Sequence, residues 1–259
     1  MKKLMITAAA ALCATAAAYA EGVESGIVGY QTIDAPAATK YKALAVQFEG
    51  IGATAAVSIK DLVKVSVPKG APTCVATADQ IWLWDSSAAD WVKYFYYKKG
   101  TAGDIWCKKG ETTETADTIG NGETFFFYRG SGAAAATLTL AGGVKAFAGQ
   151  PEYTGLVATK YRFLGYPWPK AMPIAGFDKY QGAPKGAPTC VATADQIWLW
   201  DTAAADWVKY FFYKKGTAGN VWCKKGETTE TEDVIPAGEG FFFYRGSGAS
   251  TDTITFTYE

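Results

Sequence analysis

The stretch "IWLWDSSAADWVKYFYYKKG" occupies Ile81–Gly100, and "IWLWDTAAADWVKYFFYKKG" occupies Ile197–Gly216. Each holds two runs of aromatic and β-branched residues around a short Asp/Ser/Ala segment, the pattern of a β-hairpin: Ile81–Asp85 rises, a turn follows, and Trp91–Tyr97 returns. Side chains alternate across a strand, so Trp82 and Trp84 share one face, while Tyr94 and Tyr96 lie opposite Phe95 and Tyr97. Aromatics on both faces predict that one face fills a core and the other is covered by a second layer or a neighbouring domain. The competing reading is a sugar platform, since pyranose rings stack on exposed Trp and Tyr. Its candidates are Trp91, Trp106 and Trp168, nearest the predicted loops, with Trp207 in the second stretch and Trp222 beyond it.

The duplication extends well beyond the hairpin. Residues 69–132 realign onto 185–248 at a constant shift of 116, and 54 of the 64 positions are identical. The copies differ at 86, 87, 96, 104, 105, 116, 118, 120, 121 and 124 of the first. Downstream, "TLTL" (Thr137–Leu140) matches "TITF" (Thr253–Phe256); upstream only "ATKY" survives, at a shift of 120. This period is too long for a solenoid. It predicts two tandem domains, each large enough for its own core: residues 21–146 and 147–259, linked through Ala141–Glu152.

Strand periodicity dominates each copy. In "YKALAVQFE" (Tyr41–Glu49), Leu44, Val46 and Phe48 alternate with Ala43, Ala45 and Gln47. Turn-forming clusters such as "KKGTAGD" and "GNG" separate seven or eight short strands per copy. The expected class is all-β: two tandem antiparallel sandwiches or partly open barrels. Strand order stays open.

Lys2 and Lys3, the apolar run Leu4–Ala18 and the small residues of "AYA" (Ala18–Ala20) make residues 1–20 a secretory signal peptide. The run is too short and Ala-rich for a membrane span, and no later segment is apolar enough. Losing Lys2 and Lys3 leaves 23 basic against 25 acidic residues, no footprint for nucleic acid. The expected location is outside the cytoplasm: extracellular, at the cell surface or periplasmic.

With Cys13 in that leader, Cys74, Cys107, Cys190 and Cys223 remain, one pair per copy. Pairing within each copy is the simplest of three connectivities. The chain has no histidine, which removes Ser–His–Asp hydrolysis, His-ligated zinc and imidazole relays. The Cys spacing suits no zinc site, and no glycine loop leads into a helix to cradle phosphate. No cofactor or metal is expected. Two carboxylates could cleave a glycoside, and Asp85 with Asp90 or Glu111 with Glu114 are the candidates, but both pairs fall in turn-like polar stretches. No enzyme is expected.

"WDTAAADWVKYFFY" followed by "VIPAGEGFFFYRG" (Val234–Gly246) resembles modules of exported bacterial proteins of unknown function that pair a W-D hairpin with a P-x-G-E-x-F-F strand. The first copy departs with Gly120 where the second has Pro236. The resemblance implies an exported β-module and carries over no catalytic residue.

Two functions stand ahead of the enzyme: a structural or surface-assembly protein of the cell envelope, and an adhesive module binding an extracellular glycan. Self-association follows if one face of the first unit docks on the opposite face of the second, since such head-to-tail contacts can repeat between molecules. Divergent upstream segments would cap the growth. Non-reducing peptide mapping of the exported protein should recover Cys74–Cys107 and Cys190–Cys223. Each link closes about 34 residues and contributes about 3.5–4 kcal/mol in the chain-entropy model. Four free thiols, or links between the copies, would be the contrary result.

Overall fold

The computed structural model describes residues 28–50, 56–73, 76–100, 103–144, 152–166, 169–178, 185–189, 193–216, 219–250 and 252–255. The expected leader, Cys74, Cys190 and Trp168 lie outside them. The first half runs β1 (Val28–Asp34), β2 (Tyr41–Ala45), β3 (Ala56–Ser58), a one-turn helix α1 (Ile59–Leu62), β4 (Val63–Val65), β5 (Gln80–Asp85), β6 (Asp90–Lys98), β7 (Asp104–Lys108), β8 (Thr118–Gly120), β9 (Thr124–Tyr128) and β10 (Thr137–Gly143). The second runs β11 (Glu152–Leu156), β12 (Tyr161–Gly165), β13 (Met172–Pro173), a 3-10 turn (Ile174–Asp178), β14 (Gln196–Asp201), β15 (Asp206–Lys214), β16 (Asn220–Lys224), β17 (Val234–Ile235), β18 (Gly240–Tyr244) and β19 (Asp252–Thr255). The strands are shorter and more numerous than expected. β10 runs through Gly143, so the link between the halves is shorter than the expected Ala141–Glu152.

Each half builds a five-stranded antiparallel sheet from its own strands, in the orders β2-β9-β5-β6-β7 and β12-β18-β14-β15-β16. No closed barrel forms among the described residues. Smaller sheets cover one face: β1-β10-β4 and β3-β8 in the first half, β11-β19 and β13-β17 in the second. The expected hairpin pairs Trp84 with Trp91 and Trp82 with Lys93. Its turn is closed by the carboxylate of Asp85, which accepts the N–H groups of Ser87 (2.8 Å) and Ala88 (3.1 Å). Ala89 then takes a positive φ of 51° to bring the chain round. Asp201 and Ala205 repeat both features in the second half.

Strand alternation sorts the aromatics. Leu44, Ile81, Tyr94, Phe125 and Phe127 pack with Ile59, Leu62, Leu138 and Leu140 as the first core. Leu164, Ile197, Tyr210, Phe241 and Phe243 pack with Ile174, Phe177 and Trp222 as the second. The opposite faces meet each other. Phe126 and Ala43 from one sheet, and Phe163 and Phe242 from the other, form a third buried cluster flanked by Trp82, Trp84, Trp91, Trp198, Trp200 and Trp207. Each large side chain taken from water contributes roughly 2–3 kcal/mol, so this seam is a core in its own right.

Equivalent groups meet across a local two-fold axis. Ala45 N–H donates to Gly238 O (2.8 Å), and Gly165 N–H donates to Gly122 O (3.0 Å). Leu44 bridges Glu239 as Leu164 bridges Glu123. Trp84 stands edge-on to Phe242 at 5.5 Å, and Trp200 to Phe126 at 5.3 Å. This arrangement corrects the head-to-tail docking considered from the duplication. Like faces meet, and such a contact closes on itself instead of propagating.

A buried ion pair fixes the end of each central strand. Arg129 (1% exposed) donates to Asp79 (0%) at 2.5 Å and to the carbonyls of Val67 (2.8 Å) and Ala134 (2.6 Å). Asp79 also accepts the N–H groups of Lys69 (2.8 Å) and Gly130 (2.9 Å). Burial pushes the Asp79 carboxyl up, while those N–H groups and Arg129 pull it down. Asp195 and Arg245 repeat the pair, with N–H groups from Lys185 (2.8 Å) and Gly246 (2.7 Å). The "YRG" of each copy is thereby explained. A Cβ at Gly130 would lie 2.3 Å from Thr77 O, and one at Gly246 would lie 2.4 Å from Thr193 O.

Position 124 meets position 240 near the axis. A Cβ on Gly240 would fall 1.8 Å from Thr124 Cγ2. Gly240→Ala should therefore destabilise the protein by about 1–3 kcal/mol, the usual cost of overpacking. Thr124→Ala should recover most of that loss in the double variant, read as urea midpoints. An additive pair would refute the axis contact.

Candidate functional site

The expected platforms divide by burial. Trp106 (3% exposed) and Trp222 (0%) are core residues, edge-on to Tyr96 at 5.2 Å and tilted against Phe212 at 5.3 Å respectively. Their burial corrects the exposed placement expected of both. Trp91 and Trp207 are half-buried in the seam, Trp91 at 5.4 Å from Phe126 and Trp207 at 5.2 Å from Phe242. Trp82 and Trp198 carry Lys93 and Lys209 over their rings, each at 3.7 Å, a cation–π contact.

The candidate carboxylates serve the backbone. Asp90 accepts the N–H of Trp91 at 2.7 Å. The Ser87 hydroxyl and the Ala88 and Ser87 N–H groups hold the Asp85 carboxyl below the usual carboxylate range, so it is a poor proton donor. Glu114 pairs with Lys60 at 3.5 Å on the surface. Cys107 and Cys223 are buried, and their expected partners lie outside the described residues. Among the described residues, no three Cys, Asp or Glu side chains gather where they could hold a metal. None of their helices is long and apolar enough to cross a membrane.

A cleft opens where the halves meet. Its volume is ≈ 440 Å³, and its walls include Trp84, Asn121, Glu123 and Thr124 from the first half and Tyr153, Arg162 and Phe163 from the second. The β8–β9 turn supplies the first wall. Gly122, at a φ of 78°, reverses the chain, and Glu123 closes the turn by accepting Gly120 N–H at 2.8 Å. Strand β12 supplies the second. Tyr153 reaches over from β11 to donate to Gly165 O, and burial pushes its hydroxyl well above the usual tyrosine range. The sequence pointed at neither Trp84 nor this turn as a site. The signal was present in the mismatches between copies at 118, 120, 121 and 124.

Comparison of the chain with protein-family models, curated proteins and solved structures finds no match.

The axis mate of Glu123 is Glu239, and burial pushes its carboxyl above the ordinary glutamate value, with Lys42 pulling the other way. A raised carboxyl binds its proton more tightly in the folded state. Its contribution to stability is therefore complete below the ordinary value and is lost as pH rises through the folded one. Glu239→Gln should be more stable than the unaltered protein at pH 7, and the difference should vanish near pH 4, about the unperturbed value. Denaturant midpoints across pH check this; a gap that widens on acidification would contradict it.

Proposed function

We propose that the chain is an exported, non-enzymatic structural protein of the cell surface, with the paired halves as a rigid building unit. The observation that carries the reading is the seam. The aromatic faces that an open sugar platform would expose are packed against each other, with Phe126 at 5.1 Å from Phe163, Trp84 at 5.5 Å from Phe242, and Trp91 and Trp207 on either side. The leader at residues 1–20, one cysteine pair per copy and the resemblance to exported β-modules support the same reading.

Assembly between units then uses surfaces outside the seam. Tyr30 (76% exposed) and Val67 (52%) present apolar groups there, and Lys108 beside Asp117 and Lys224 beside Asp233 present paired charges. Contacts built on such charges weaken with salt. Light scattering and negative-stain microscopy of the mature protein at high micromolar concentration should show particles larger than one chain that dissociate as salt is added. A strictly monomeric protein would put the adhesive, glycan-binding function in its place.

A further inference from the structure

The cleft between the halves holds three donors with nothing to donate to among the described residues. Trp84 Nε1, Asn121 Nδ2 and Thr124 Oγ1 are buried without hydrogen-bond partners, and all three residues line the cleft. Thr124 is only 4% exposed. Buried polar groups in native proteins are nearly always satisfied, and leaving one unpaired costs stability. Three around one cavity point to an occupant.

The duplication sharpens the argument, because the second copy is an internal control. Trp200, the counterpart of Trp84, donates to Tyr41 O at 3.0 Å. Asn121 and Thr124 are matched by Ala237 and Gly240, and Thr118, also in the wall, by Val234. Eight lining residues fall within the repeated block, and four of them (86, 118, 121 and 124) differ between copies, against ten of 64 across the whole block. At three of the four, the first copy holds the polar residue. A fold that accepts Val234 and Ala237 does not need Thr118 and Asn121 for stability, whereas Gly240 is small because Thr124 faces it.

The chemistry of the walls selects the ligand. Arg162 and Glu123 oppose each other in sign, so the cleft favours no net charge. Indole, carboxamide and hydroxyl groups stand beside a carboxylate and the ring of Trp84. A ligand hydroxyl both donates and accepts, and so can satisfy the indole N–H and the carboxylate together, while the C–H face of a sugar ring packs on an aromatic. The volume lies in the range of small-molecule sites. We propose that this cleft binds a small, neutral, hydroxyl-rich ligand of mono- or disaccharide type through Trp84, Asn121 and Thr124. The inference stands independently of whether the protein assembles.

The test uses the full mature chain with ¹⁵N-labelled tryptophan, whose indole N–H signals are followed by NMR, the Trp84 signal being identified by its loss in Trp84→Phe. Glucose, galactose, N-acetylglucosamine, maltose and cellobiose are titrated to about 50 mM, above the millimolar range in which a few hydrogen bonds hold a ligand. Glucuronate serves as the charged control. At least one neutral sugar should shift the Trp84 signal saturably. The Thr118→Val/Asn121→Ala variant copies the second half and should fold with an unchanged urea midpoint while binding at least tenfold more weakly. No shift with any sugar would mean that only water fills the cleft and would overturn the proposal. So would glucuronate binding alone, or neutral-sugar binding that survives the double variant. Loss of folding in that variant would overturn the internal-control argument.

Discussion

Two nearly identical faces packed across a local two-fold axis impose a rule that ordinary cores do not. A residue on the axis meets its own counterpart, so the same side chain cannot occupy both places unless it is small. Thr124 faces Gly240, and Ala45 faces Gly165, where a Cβ would lie 2.6 Å from Ala45 Cβ and 2.8 Å from Thr124 Oγ1. Ala43 and Phe163 divide a third place unequally: Phe163 lies 5.1 Å from Phe126 and 4.6 Å from Phe242, while Ala43 is small. In two separate copies of one chain, each pair would carry the same residue on both sides. Having both halves in one chain is what lets one side be large and the other small.

The seam and the ion pairs do different work. Arg129 and Arg245 directly follow the strands that carry Phe126 and Phe242, and their pairs with Asp79 and Asp195 anchor those strand ends to the chain just before β5 and β14. Losing one partner of such a pair strands a buried charge, a defect of about 3–5 kcal/mol. Strand ends held in this way keep the aromatic rows in register, and register decides which face each ring occupies. The seam then buries Ala43, Phe126, Phe163 and Phe242 at its centre. Where the polar residues of the first copy replace the apolar ones of the second, at 118, 121 and 124, it opens into the cleft.

Much of this fold was legible in the strand periodicity. The W-D hairpin and the alternation of Leu44 with Ala43 and Ala45 follow from spacing, while the covering of both aromatic faces was one of two readings, the other being an open sugar platform. What periodicity could not say is which partner covers each face, because Trp84 and Trp106 are alike in sequence terms and differ only in the layer they enter. Trp106, near a loop, invited an exposed placement, yet its strand β7 turns that side chain onto the first core. The ion pairs were missed for another reason. Asp79 and Arg129 are 50 residues apart, and a lone charge beside an apolar strand looks like a strand end until the fold brings its partner there. Their visible trace was that two of the three arginines occupy the same place in both copies.

The candidate site was legible only by subtraction. No motif marks Trp84, Asn121 or Thr124, and the identical Trp200 makes an ordinary bond to Tyr41 O. The duplication supplies, inside one chain, the comparison that a set of relatives would otherwise provide. Where two copies share 54 of 64 residues, the fold's requirements are met twice by the same side chains, and differences fall where the surroundings differ. Some follow from the axis, as Thr124 and Gly240 do. Asn121 against Ala237 and Thr118 against Val234 have no such steric reason among the described residues, and both polar members line the same cleft. Packing explains the first kind of difference; a ligand explains the second.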